Sequence, residues 1–214
     1  MGDICRRDVP LLHNGTVRET ATSREAQRRR TRARVLDAAI VEFQRAGTSS
    51  ADINAIVEAA GVARSTFYFH FPTKEHVLLE LIRRDEDFLG EELGRFLETR
   101  HDLGAVLEEI IRLVVELENR WGAPLFRDVI SLYFSPALAR DEQWSRHPTF
   151  VLLAAEIERA RIRGELYEDV ESYDGAAFFL IGLHAVLISA REAGQAREVV
   201  LKKFVKSTLR SLRP

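Results

Sequence analysis

The chain has 214 residues, 46% of them apolar and 30% charged, with a formal net charge of −2, an ordinary globular composition with room for a sizeable core. Its single cysteine, Cys5, excludes an intramolecular disulfide framework and a zinc cage built from thiolates, and suits a reducing cytoplasm. With only six prolines, few β-branched runs and abundant Ala, Leu, Glu and Arg, the composition predicts an all-α fold.

Residues 1–23 lack apolar periodicity and read as a disordered tail without an apolar signal segment. Residues 1–34 hold nine arginines against four acids, a balance of +5 that leaves −7 on the other 180 residues. A basic head on an acidic body implies that the head alone meets a polyanion. From Arg24 the pattern turns helical, with Val35, Leu36, Ala39, Ile40 and Phe43 at helical spacing and Gly47 as the stop. The arginines at 28, 29, 30, 32 and 34 fit either a solvated helix face or an arm for phosphates or the minor groove.

Next come two short helices. Ser50 or Asp52 can cap the first, which turns Ile53, Ile56 and Val57 inward and stops at Gly61. "ARSTFYF" supplies the second, before Pro72 breaks the chain and Thr73 caps a long fourth helix reaching about Leu97. Two short helices about a glycine turn, over about 52–71, describe a helix-turn-helix. The long helix carries Val77, Leu78, Leu81, Ile82, Leu89 and Leu93 on one face and has the reach of a lever. Further helices are predicted near 102–120, 124–135, 147–163, 172–193 and 196–212, about nine in all. The domain division implied is a tail over 1–23, a helix-turn-helix unit over 24–72 and a helical body over 73–214. The apolar run from Ala176 to Ala190 is shorter than a bilayer needs, so no membrane partner is expected.

Catalytic signatures are missing: no G-x-S-x-G elbow, no phosphate-cradling G-x-x-x-x-G-K-[ST], no G-x-G-x-x-G and no H-E-x-x-H. None of the six histidines stands three or four residues from another, so no helix face offers a metal pair, and no metal or cofactor is expected.

The stretch "GVARSTFYFHFPTKE" over 61–75 carries chemistry suited to DNA instead. Arg64 and Ser65 lie in the first turn of the second short helix, where side chains reach base edges, and Arg suits guanine O6 and N7. Thr66, Tyr68, His70 and Lys74 offer donors to phosphates, while Phe67 and Phe71 face inward as anchors. Phe69 has no assigned role.

"VLDAAIVEF" and "AIVEAAGVARSTFYFHFPTKEHVLLEL" resemble the tetracycline-repressor (TetR) family of bacterial transcription regulators. The likeness is carried by the A-G-V turn, Thr66-Phe67-Tyr68, His70-Phe71 and Lys74-Glu75; "RGEL" at 163–166 before a long apolar helix is similar to the family's closing region. Ala63 and Ala51 depart from it, standing where the family often has Ser and Thr. The resemblance implies a three-helix DNA-binding domain, a ligand-binding helical body and a homodimer formed by the last two helices. It places Asn54 beside Arg64 and Ser65 at the bases, with Thr66, Tyr68, His70 and Lys74 on the backbone.

For the body, the helix reading "AAFFLIGLHAVLISA" is apolar on nearly every side and needs cover on two faces. Phe178, Gly182, Ala185 and Ser189, with Phe204 and Leu209 of the last helix, are the expected four-helix interface between two copies. Trp121, Phe126, Ile130, Tyr133, Trp144, Phe179 and His184 are the candidate lining of an effector cavity. The expected function is a cytoplasmic, ligand-responsive repressor of a near-palindromic operator in double-stranded DNA, released by a small hydrophobic or amphipathic effector. An α-helical enzyme or a protein-binding adaptor using the same cavity is the alternative.

Overall fold

The computed structural model describes residues 15–133, 147–190, 194 and 196–214, with side chains from 23 onward in the first helix and to 132 in the fifth. Every element among the described residues is helical: α1 (Gly15–Ala46), α2 (Ile53–Ala60), α3 (Arg64–His70), α4 (Lys74–Leu97), α5 (Leu103–Tyr133), α6 (Pro148–Ile162), α7 (Ser172–Ser189) and α8 (Ala196–Leu212).

Two boundaries differ from the sequence expectation. The first helix begins at Gly15 rather than near Arg24, inside the stretch read as a tail. Its front carries no apolar stripe, but Glu, Ala, Gln and Arg favour helix without one. The helices expected at 102–120 and 124–135 are one element, α5, bent where Gly122 takes φ 72° and ψ 173° just before Pro124. Only glycine adopts that conformation cheaply, and Pro124 would break the hydrogen-bond ladder there in any case. Among the described residues the count is therefore eight.

The helix-turn-helix is set by local chemistry. Asp52 caps α2 by accepting the Asn54 N–H at 2.8 Å, and Gly61 ends it in the left-handed region, returning its N–H to Glu58 and Val57. Ala63 precedes α3 with no side chain able to cap it. Thr73 occupies the cap position of α4 but makes no capping bond; its hydroxyl faces His76 Nδ1 at 3.0 Å, contrary to the expected role.

One continuous core runs from the head, through Val35, Phe43, Ile56, Phe67 and Phe71, into the body at Leu107, Leu125, Leu153 and Phe179. Within the body, α7 packs chiefly against α6 and also against α8. By length and composition alone the 18 residues of α7 could cross a membrane, a closer approach to that limit than the sequence suggested.

Head and body also meet through polar contacts at the corner between α1 and α2. Lys74 Nζ donates to the carbonyls of Thr48 (2.9 Å) and Ser49 (3.0 Å). From α5, Asp128 accepts the Thr48 N–H at 2.6 Å, while Gln44 donates to the Arg120 carbonyl at 2.8 Å. Glu42 completes the corner by accepting the Asp52 N–H at 3.0 Å on Oε1, with Arg45 donating to both of its carboxylate oxygens.

Candidate functional site

Phe67 and Phe71 are fully buried and fix α3 to the head, leaving Arg64, Ser65 and Tyr68 on the outer side. Arg64 donates to the Asn54 amide oxygen at 3.0 Å and approaches the Tyr68 hydroxyl at 3.4 Å, so these three side chains form one polar strip across α2 and α3. Thr66 is half-buried beside them. A helix-turn-helix presenting Arg, Asn, Ser and Tyr on one exposed strip has donors for base edges and for phosphates.

Two expected backbone contacts are placed otherwise. His70 is 8% exposed and faces the interior, because position 70 shares a helical face with Phe67 and Phe71. Burial pushes its pKa down, with Arg32 and Arg28 adding to the effect, so it brings no charge to the surface. Lys74 is engaged with the Thr48 and Ser49 carbonyls, which makes it a brace of the corner first. Conversely, Phe69 is 65% exposed and lies under the Arg28 guanidinium, 5.0 Å from ring centre to carbon. Arg32 covers Phe71 at 4.3 Å and binds the His70 carbonyl (2.7 Å) and Glu80 (3.1 Å). The arginine run thus divides: Arg32 serves the fold, whereas Arg28 flanks α3 on the surface.

In the body, Trp121, Phe126, Ile130 and His184 do line one cavity, closed by Ile82 and Leu89 of α4 and Val114 and Leu117 of α5. Its volume is about 40 Å³, space for a few waters and far below the several hundred that ligand pockets offer. Phe179 is not in its wall; it stacks on Phe204 with ring centres 5.4 Å apart. The side chain of Tyr133 and all of Trp144 lie outside the described residues. The sequence reading missed Asp85 and Glu86, which also line it. Position 85 continues the Leu78, Leu81, Ile82, Leu89 stripe of α4, and that register is the signal that could have found it. Asp85 accepts the Trp121 indole N–H at 2.7 Å, and Glu86 meets His147 Nδ1 at 2.5 Å. His184 Nδ1 lies 2.7 Å from the Leu180 carbonyl, and burial pushes its pKa down. Among the described residues, no group of three or more His, Cys, Asp or Glu could hold a metal ion.

The expected interface residues separate into two sets. Phe178 is 73% exposed, and Ala185 and Ser189 are exposed along the same side of α7. Ile181 and Ile188, which the sequence reading did not single out, complete that apolar stripe. Gly182, Phe204 and Leu209 instead serve packing within the chain. A Cβ at Gly182 would stand 2.9 Å from the Phe204 ring, and Leu209 reaches Gly104 of α5. An all-round apolar helix hides which face each neighbour takes, so spacing alone does not separate these three from the exposed set.

Residues 35–81 match the family described as "Bacterial regulatory proteins, tetR family". The chain is 38% identical over 96 residues to the HTH-type transcriptional regulator AcrR of Shigella flexneri, covering 44% of each. It is 37% identical over 77 residues to the HTH-type transcriptional repressor KstR of Mycolicibacterium smegmatis, covering 36% of this chain and 37% of that one. The chain thus spans less than half the length of these curated relatives. The fold likeness extends further: the solved structure of the transcriptional regulator FadR from Bacillus subtilis in complex with stearoyl-CoA matches 83% of this chain and 95% of its own, with TM-score 0.66 at 17% identity.

Proposed function

The chain belongs to the tetR family of bacterial regulatory proteins, and from that premise we propose that it is a dimeric, effector-responsive repressor that binds a near-palindromic operator. The observation that carries this reading is the anchored α3, with Phe67 and Phe71 buried beneath an exposed Asn54, Arg64, Ser65 and Tyr68 strip. The family's members are transcription regulators, and no enzyme signature in this chain argues otherwise. Its place of action is the cytoplasm, where its DNA is.

Arg64 and Ser65 read bases, with Asn54 beside them; Thr66, Tyr68 and Arg28 hold the phosphate backbone. Two copies join through the α7 stripe of Phe178, Ile181, Ala185 and Ile188, extended by the exposed Val199 and Val200 of α8. A two-fold dimer sets two copies of α3 to meet successive major grooves, roughly 34 to 36 Å apart.

A small hydrophobic or amphipathic effector enters the cavity between α4, α5 and α7. The FadR of Bacillus subtilis binds stearoyl-CoA in the same fold, which supports an effector role for the body. Because the cavity is nearly closed, an effector occupies it only by parting α4 from α5. Lys74, at the head of α4, then shifts against the Thr48 corner. Moving occupancy from 1:99 to 99:1 takes about 5.5 kcal/mol of differential effector binding.

Selection from random duplexes, followed by fluorescence anisotropy across a salt series, tests the reading. It stands if a near-palindrome is enriched and its affinity falls steeply with salt, as counterion release requires. It fails if no sequence is preferred over random DNA.

A further inference from the structure

Phe69 is a large apolar side chain left 65% exposed on the helix that carries the reading strip. It follows Ser65 by one helical turn and so shares its side of α3, away from the buried Phe67 and Phe71. Exposure alone says little, since single apolar side chains are common on surfaces. What sets Phe69 apart is that its ring is held. The Arg28 guanidinium lies over it, 5.0 Å from the centre, and the His70 ring meets it at 74° with centres 5.1 Å apart. A side chain fixed while still mostly in water has given up its rotamer freedom in advance, so a partner meets it at little ordering cost.

The surroundings set the partner's charge. Arg28 and Arg29 line an open cleft of about 360 Å³ between α1 and α3, where Glu25 is the one carboxylate. Neither arginine makes an ion pair among the described residues, whereas Arg32, half-buried in the same cleft, is committed to Glu80 and the His70 carbonyl. An apolar ring beside two unpaired guanidinium groups suits a ligand that offers a methyl group and an anion side by side. The major groove does so at thymine, whose C5-methyl stands exposed there with the phosphate backbone along the groove's edge.

We propose that Phe69 is a specificity residue that packs its free ring surface on a thymine C5-methyl in each half-site, while Arg28, seated on the ring, takes the adjoining phosphate. This rests on the reading of the chain as an operator-binding dimer, and adds to it a base preference that hydrogen bonding does not supply. Adenine, guanine and cytosine present no methyl group in the groove, so a ring that reads thymine discriminates by apolar contact and not by donor pattern. Arg28 joins the two tasks: its guanidinium steadies the ring, and the ring aims the guanidinium.

The test uses the full-length protein and the duplex it enriches from a random library, with each thymine replaced in turn by deoxyuridine, singly and in both half-sites. That exchange keeps the base pair and removes only the methyl group. Anisotropy should find one position where the wild type loses affinity, by about fourfold for one half-site and about fifteenfold for both, the worth of one buried methyl apiece. There Phe69→Ala should bind the thymine and uracil duplexes alike. Arg28→Gln should lower the slope of log affinity against log salt by about one per head. Circular dichroism confirms the fold of Phe69→Ala, and Phe69→Gln takes its place if it unfolds. A wild type indifferent to every methyl group overturns the proposal and leaves operator binding standing, as does a methyl effect that survives in Phe69→Ala. An unchanged salt slope in Arg28→Gln removes Arg28 from the phosphate. Enrichment of no duplex at all removes the operator reading, and the proposal with it.

Discussion

One guanidinium nitrogen of Arg64 lies 3.0 Å from the amide oxygen of Asn54, so two residues assigned to base contacts hold each other across the corner of α2 and α3. In the proposed complex, binding DNA exchanges this bond for one to a base. Arg64→Ala is expected to weaken the preferred operator by about 1–3 kcal/mol and to flatten discrimination at one base pair of each half-site. Tyr68→Phe removes a hydroxyl suited to phosphate, and should weaken every sequence alike. Anisotropy on a set of single-base variants separates the two patterns. Equal losses on all sequences for Arg64→Ala would remove it as a reader.

The Glu42 carboxyl is held well below the usual range, at about 2 against an ordinary 4.5, first by Arg45 and then by the Asp52 N–H. A depressed carboxyl stabilises the folded state above its unfolded value and loses that contribution as protons return. Stability should therefore decline as pH falls from about 4.5 toward 2, and Glu42→Gln should flatten that part of the profile. Urea unfolding followed by circular dichroism at stepped pH gives the comparison. An unchanged acid slope in the variant would contradict it.

Ile181 is 41% exposed in the middle of the apolar stripe on α7. Ile181→Glu sets a charge where two copies are proposed to meet, and should weaken self-association at least about tenfold. Sedimentation velocity at several concentrations reads the dimer fraction. A variant that stays dimeric at the same concentration moves the interface elsewhere.

How much of this is legible in the sequence depends on whether a signal is local. Gly61 ending α2, Asp52 capping it, and Phe67 with Phe71 pinning α3 follow from turn chemistry and helical period. His70 and Asp85 mislead because their polarity suggests solvent, although helical register puts each on a buried face. Gly182 and Phe204 could not be assigned from spacing, since the face of α7 that meets α8 is decided by tertiary packing. The closed state of the cavity is likewise a property of how α4 and α5 meet.

Gly90 on α4 faces the ring of Pro148, and an added Cβ would collide with it. A proline ring cannot rotate away, so Gly90→Ala is expected to cost about 1–3 kcal/mol by overpacking. At this chain size each kcal/mol lowers the midpoint by roughly 2–4 °C. Chemical denaturation gives the free energy directly. A neutral or stabilising result would mean that α6 yields easily.

Thr48 sits between Asp128 of α5 and Lys74 of α4, its N–H given to one and its carbonyl to the other. That arrangement decides where the protein can be divided. A hybrid regulator made by splicing residues up to 72 onto a foreign body would strand the Thr48 amide and the Gln44 side chain, whose partners are Asp128 and the Arg120 carbonyl, far downstream. The reading head is therefore not a detachable cartridge. Transplanting the proposed specificity calls for exchanging the Asn54, Arg64, Ser65 and Tyr68 surface in place, or for carrying the α5 bend along with it.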